Sequence, residues 1–390
     1  MKNTIKTPEQ LYFSKDHEMV RKAVKDFVIK ELDPNADEWE EKKISPLHDI
    51  FKKMGELGFI GIRYDEKYGG EGLDYMYELV MLEEISHCKT LGVPMAISVQ
   101  TGMATPAIYE FGSEYLKKTY LKKALKGEFV ASIAVTEPNA GSDVGAVSTF
   151  AQKDGDSYIL NGTKTFITNG TQADIVITLA RTSEKPGYHA FSLFVVPTDL
   201  PGFNVSKKLD KLGMHSSDTA ELFYDNVRVP AENLIGEEGE GFIYQMNQFQ
   251  HERFVVLPMA YIICEDMIKM TVEYIKERIV FGKPLMTKQV LQHRLVGYLT
   301  EIECLKQLTY HIVRMKMAGL DATKEITMGK LYAGQMVTKV AEGCIQMFGG
   351  MGFMNEMLIS RYYRDIRVLP VGGGASEVMS DVLAKIEGYK

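Results

Sequence analysis

Glu252 lies in Gln248-Phe-Gln-His-Glu-Arg-Phe-Val-Val256, directly before Arg253 and at the entrance to the most apolar stretch of the chain, Phe254 to Cys264. A carboxylate facing such surroundings is partly desolvated, which raises its pKa and strengthens it as a base. The plainer reading of a helical Glu beside Arg is a pair with a cation on a solvated face. His251 adjoins Glu252 but, at 100° per residue, is turned away from it, as a satisfied or exposed histidine would be. Glu377 is a rival acid, although in the first turn of a last helix it suits the dipole and the unpaired amides there. Arg278 offers a planar fork for phosphate oxygens or, read alone, a surface charge at a helix end. Phe348-Gly-Gly-Met-Gly352 reads as a helix C-cap, and such an end also lets backbone approach a ligand closely. Thr136-Glu-Pro-Asn-Ala-Gly141, taken in isolation, reads as a solvated hairpin loop.

Three segments of different hydrophobic period must position these residues. From Asp16 to about Lys126 apolar residues recur at three and four, as in Val20, Val24, Phe27 and Val28, which predicts helices broken at Tyr68 to Gly72 and around Pro94. Near Phe129 the period becomes two. Ala131 to Thr136, Thr163 to Thr168, Asp174 to Ala180, Phe191 to Val196 and Ala220 to Tyr224 predict an antiparallel sheet with Asp-Gly, Asn-Gly and Pro-Gly turns. After Pro230 the glycine-rich, acidic Gly236 to Gly241 leads into amphipathic stretches over Phe242 to Glu277, Gln289 to Ala318 and Thr323 to Met347, with a short helix after Gly374. Pro258 should kink or loosen the first of these just after Glu252 and help aim it. The expected fold class is α+β, with domains over 1–126, 127–236 and 237–390. The order helical, β, helical is uncommon.

The 390 residues are 45% hydrophobic and 25% charged, an ordinary globular composition for two or three domains. A net charge of -7 argues against nucleic-acid binding, which needs clustered positive charge. Cys88, Cys264, Cys304 and Cys344 form no Cys-x-x-Cys pair, so neither a disulfide framework nor a metal site is expected, and all four read as buried thiols. No membrane span is expected, because the longest apolar run is too short and contains Pro258. No secretory signal is visible at the start, so a cytoplasmic location is expected, or the mitochondrial matrix if a presequence has been removed.

Ile133-Ala-Val-Thr-Glu-Pro-Asn-Ala-Gly-Ser-Asp143 and Asn161-Gly-Thr-Lys-Thr-Phe-Ile-Thr-Asn-Gly170 resemble paired signatures of the acyl-CoA dehydrogenase family. The resemblance continues through Lys211 to Leu222, Val227 to Pro230, Arg278 to Lys283, Gln346 to Phe353 and Gly372 to Glu377, and so covers nearly the whole chain. It implies an N-terminal helical domain, a middle β-domain and a C-terminal four-helix bundle, assembled as a homotetramer. Removing hydrogens from the α and β carbons of a thioester needs a base and a hydride acceptor; no side chain accepts hydride, so FAD is implied. The family pattern assigns Ile133, Val135, Thr136, Ser142, Phe166, Ile167 and Thr168 to the flavin. Arg278, Phe281, Gln289, Gln346, Met347, Phe348, Gly349 and Gly350 match contacts to a neighbouring subunit's adenosine diphosphate, and Ala375, Ser376 and Glu377 approach the flavin.

Many members of the family carry the catalytic glutamate at the position of Gly373, where this sequence has no carboxylate. In members resembling isovaleryl-CoA and long-chain dehydrogenases the glutamate comes from the first helix of the C-terminal domain, immediately before an arginine, and here that pair is Glu252-Arg253. Gly373 also leaves volume for a carboxylate arriving from elsewhere. The resemblance sets Ser142, Ile243, Gln250, His251, Arg253, Gly373 and Gly374 along the CoA and acyl path, with Arg253 supporting the loop. Glu252 is expected to take the pro-R α-proton while hydride passes to flavin N5, giving a trans-2-enoyl-CoA.

The resemblance further implies electron-transfer flavoprotein as acceptor, docking near Phe166, where many relatives carry tryptophan. Acyl-CoA oxidases generally have an additional C-terminal helical domain, so length favours a dehydrogenase; a flavin-free acyl-CoA-binding protein on this fold is the third reading. Around Ser98-Val-Gln100 the chain resembles glutaryl-CoA dehydrogenases, but Pro94 stands where they have an arginine for the distal carboxylate. A dicarboxylyl substrate is therefore disfavoured, and a branched, terpenoid-like or longer acyl chain is expected.

Overall fold

The change of period near Phe129 is where helices give way to strands in the structure, a computed structural model that describes residues 11–389. Residues 1–10 and 390, the outer ends of the expected first and third domains, lie outside the described residues. N-terminal helices, a middle sheet and C-terminal helices follow one another along the chain. The Lys15–Phe27 helix starts at Ser14, whose hydroxyl accepts from the His17 amide while the His17 ring accepts from the Ser14 amide. That reciprocal pair satisfies two amides that the first turn leaves unpartnered. The Tyr75–Ile85 helix begins likewise at Asp74, which accepts from the Met76 amide. The chain does turn at Gly69 and Gly72, both with positive φ. The break expected around Pro94 falls just before it, over residues 86–91, between the Tyr75–Ile85 and Gly92–Ser98 helices. Pro94 itself sits in the first turn of the Gly92–Ser98 helix, where a missing N–H removes no helical bond.

The sheet contains β1 (Ala131–Ala134), β2 (Phe150–Asp154), β3 (Ser157–Thr168), β4 (Ile175–Arg181), β5 (Phe191–Pro197), β6 (Phe203–Lys208), β7 (Thr219–Pro230) and β8 (Leu234–Ile235). Its order is β6-β7-β3-β2-β4-β5-β8, with β1 paired to β4. Most pairings are antiparallel, whereas β1 and the Phe150 end of β2 run parallel to β4. Tyr158, Leu160, Phe194, Val196, Leu222 and Tyr224 fill its core. β6 carries no clear alternation in the sequence because it is an exposed edge ending in Lys207 and Lys208, a composition that discourages further strand pairing.

Packing gathers the described chain into two units, residues 38–73 with 95–252 and residues 11–37 with 74–94 and 253–389. The first holds the sheet. In the second, the Thr323–Phe348 helix packs against the helices Gln289–Met317, Leu358–Asp365 and Ser376–Ile386, and Lys15–Phe27 packs against Tyr75–Ile85. Within this unit the buried Glu83 carboxylate accepts from Arg21 at 2.9 Å, Tyr261 at 2.6 Å and Tyr310 at 3.1 Å. The Gly241–Glu277 helix continues through Pro258 without interruption, so the expected loosening after Glu252 does not end or divide it. Cys88, Cys264 and Cys344 are buried as expected, but Cys304 is exposed, because it lies on the outer face of the Gln289–Met317 helix. Among the described residues no helix is long and apolar enough to cross a membrane, and no group of acids, histidines or cysteines is arranged to hold a metal ion.

Candidate active site

The ends of two strands, β1 and β3, meet around Thr136. Ile133 lies on β1, Val135 and Thr136 continue from it, and Phe166, Ile167 and Thr168 close β3. The Thr165 amide donates to the Thr136 carbonyl at 2.9 Å, and the Ser132 hydroxyl donates to the Thr168 carbonyl at 2.6 Å. The β3–β7 register slips between Lys164 and Ile167. In that slip Phe166 adopts a φ of 61° and stands 68% exposed. Positive φ at an aromatic residue is uncommon and points toward function rather than plain sheet pairing. The hydroxyls of Thr136, Ser142 and Thr168 make no hydrogen bond to any described residue, while each retains some exposure.

A second group gathers in the helical unit. The Gly241–Glu277 helix ends next to Arg278, and a tight hairpin, β9 (Ile279–Val280) with β10 (Lys283–Pro284), carries Phe281 at its tip with a φ of 51° and 93% exposure. Gln289 then opens the next helix. The Tyr274 ring stacks on Phe348 at 4.3 Å and its hydroxyl donates to the Phe348 carbonyl at 3.3 Å, which brings this corner to Gln346–Gly350. Gly349 ends that helix at a φ of 59°, a conformation glycine adopts without strain. The side chains of Arg278, Gln289 and Gln346 are exposed and bonded to no described residue. Met347 and Phe348 are buried, so only their backbone is available to a ligand.

Ile243, Gln250, His251, Glu252 and Arg253 all lie on the Gly241–Glu277 helix. Ile243 is exposed, and His251 is buried with its Nε2 2.9 Å from Glu110 Oε1. His251 is thus held by an acid, in keeping with a satisfied histidine. Arg253 is buried, and its Nε donates to the Gly373 carbonyl at 3.3 Å. Gly373 and Gly374 have φ values of 70° and 108°. Both values lie where a side chain strains the backbone, so this turn favours glycine. Ala375 precedes the Ser376–Ile386 helix, and Glu377 is exposed in its first turn, as the dipole argument expects.

Family models for the N-terminal, middle and C-terminal domains of acyl-CoA dehydrogenases match residues 14–128, 132–227 and 239–387. The chain belongs to the acyl-CoA dehydrogenase family. It is 37% identical to the short-chain specific mitochondrial acyl-CoA dehydrogenase of Rattus norvegicus, over 94% of this chain and 89% of that one. It is 36% identical to the long-chain specific mitochondrial enzyme of Sus scrofa, over 96% of this chain and 86% of that one. A solved acyl-CoA dehydrogenase from Geobacillus kaustophilus superposes with a TM-score of 0.92 at 40% identity, covering 96% of this chain and 99% of that one. The chain is accordingly a flavin-dependent oxidoreductase of the acyl-CoA dehydrogenase class, and its cofactor is FAD.

The residues present fit that cofactor. The hydroxyls of Thr136, Ser142 and Thr168, bonded to no described residue, can donate to a flavin, and the exposed Phe166 offers an aromatic face. Three supporting residues escape a reading of the sequence. Lys330 is buried on the Thr323–Phe348 helix and donates to the carbonyls of Leu369 at 2.7 Å and Gly374 at 3.1 Å, bracing the same turn that Arg253 holds. Lys164 and Glu137 are buried together, with Nζ to Oε1 at 2.9 Å. Their signal was a charge at an inward position of an apolar pattern, since buried Lys and Glu are rare unless paired.

Proposed function

We propose that this chain removes hydrogens from the α and β carbons of an acyl-CoA thioester with Glu252 as the base. The observation that carries the reading is the Arg253 Nε bond to the Gly373 carbonyl, 3.3 Å, made by the residue that follows Glu252. It ties the Glu252-bearing helix to a turn that has no carboxylate and favours glycine in its backbone. FAD, when bound, supplies the hydride acceptor. Glu252, as the carboxylate, receives the α-proton and then holds it, Arg253 fixes the turn, and the lack of side chains at Gly373 and Gly374 lets a thioester approach the backbone. Ile243 and Gln250 line the CoA and acyl path, while the exposed Glu377 serves its helix end.

The rim formed by Ile133, Val135, Thr136, Ser142 and Phe166 to Thr168 receives the flavin, and the family pattern adds Ala375 to Glu377 to the flavin contacts. Arg278, Phe281, Gln289 and the 346–350 backbone receive the adenosine diphosphate of a neighbouring copy. That reading is supported by three polar side chains without partners among described residues beside an almost fully exposed aromatic ring. It entails a homotetramer or other assembly of copies. Electron-transfer flavoprotein is the proposed acceptor at Phe166, and a cytoplasmic location with functional domains over 1–126, 127–236 and 237–390 completes the proposal. Pro94 supplies no cation for a distal carboxylate, so a monocarboxylyl substrate is favoured. Near-equal identity to short-chain and long-chain relatives leaves chain length to a substrate panel.

Glu252→Gln tests the base. The variant should bind FAD and acyl-CoA but lose flavin bleaching under anaerobic conditions, slowing it by about 100- to 10,000-fold, the range general-base catalysis supplies. Normal bleaching would move the role to Glu377.

A further inference from the structure

Lys164 sits on β3 two residues before Phe166, with its side chain fully buried. Its Nζ donates to the Val135 carbonyl at 2.9 Å and to Glu137 Oε1 at 2.9 Å, gripping the residues on either side of Thr136. The next residue on β3 completes the grip, since the Thr165 amide bonds the Thr136 carbonyl. Glu137 carries the restraint onward. Its Oε1 accepts from the Thr149 amide at 2.9 Å, and its Oε2 accepts from the Ser148 amide at 2.8 Å and the Ser148 hydroxyl at 2.6 Å. The loop closed by these bonds, residues 137–149, contains Ser142.

We propose that Lys164 and Glu137 are positioning residues that set the spacing of Thr136, Ser142 and Phe166–Thr168 for the FAD ring. The proposal rests on the reading of those residues as the flavin rim. The sheet cannot set this spacing by itself, because the β3–β7 ladder slips between Lys164 and Ile167, where the rim residues begin. Stability alone is a poor account of the pair. Burying two charges costs about as much as their attraction returns, and apolar residues of similar volume often serve a core equally well. What apolar residues cannot do is hold Val135, Glu137, Ser148 and Thr149 in fixed directions, which supporting bonds around a binding site must do.

The two charges have opposite responses to their setting. Burial pushes the Glu137 carboxyl up, but the Lys164 charge and the donors of Ser148 and Thr149 outweigh it and bring it down to about 2. Burial lowers the Lys164 ammonium to about 8 against the pull of Glu137. At neutral pH the pair is ionic.

The test compares FAD dissociation constants of wild-type apoprotein, Lys164→Met, Glu137→Gln and the double variant by flavin fluorescence, alongside visible spectra of the loaded proteins and apoprotein melting. Each single variant should weaken FAD binding about tenfold or more and shift the flavin band, consistent with losing a buried charged hydrogen bond. The double variant should be no worse than the weaker single one, because the residues act as a unit. FAD affinity within about twofold of wild type with an unchanged flavin band would overturn the proposal, even if melting temperature fell. Should Lys164→Met fail to fold, the near-isosteric Glu137→Gln decides the matter. A wild-type protein that took up no FAD would instead refute the reading of the rim.

Discussion

Arg253 reaches from the helix that carries Glu252 to the carbonyl of Gly373, with its Nε 3.3 Å from that oxygen. Lys330 holds the same turn from another helix through the carbonyls of Leu369 and Gly374. Two buried cations therefore fix a segment whose glycine dihedrals leave it little side-chain packing of its own. The turn is thereby held from two helices, Gly241–Glu277 and Thr323–Phe348.

Replacing Arg253 by Lys keeps the charge and removes the planar fork that reaches Gly373. Turnover should fall about 10- to 100-fold, the equivalent of one charged hydrogen bond, while bound FAD stays at wild-type content. Steady-state kinetics with flavin absorbance check this, and wild-type turnover in the variant would remove Arg253 from the positioning role.

His251 is held by Glu110, so it should matter to stability rather than to proton transfer. Substituting Gln for His251 should cost about 1–3 kcal/mol through the disturbed buried acid. The turnover number should change by less than about threefold, in contrast to the large loss at Glu252. Denaturant unfolding and the pH profile of turnover separate the two residues; loss of the acid limb with His251→Gln would assign His251 to the proton path.

Acid should remove the stability that ionised Glu137 contributes. The Glu137 carboxyl titrates at about 2 in the folded chain against an ordinary 4.5, so its contribution is fully present above pH 4.5 and is lost as pH falls through 2. Apoprotein stability measured across that window should fall more steeply for wild type than for Glu137→Gln. Parallel curves would mean that Glu137 is not ionised and paired in solution.

Much of this protein was readable from short windows of sequence. The shift of period near Phe129 located the sheet domain, the period of three and four marked the helical segments on either side of it, and the glycine-rich stretch 236–241 marked the entry to the second. These rest on local propensity, which neighbours a few positions away suffice to express, whereas the Glu252-Arg253 pair gained meaning only from the family pattern. Partner choice over distance is another matter. Nothing in the pattern joined Lys164 to Glu137 across 27 positions, or Lys330 to a carbonyl 39 positions later. Nor did it foresee that Cys304 faces outward, that Met347 and Phe348 offer only backbone, or that β1 runs parallel to β4. Those outcomes depend on which surfaces long-range packing removes from water. A buried charge must then find whatever polar group the fold has brought within reach.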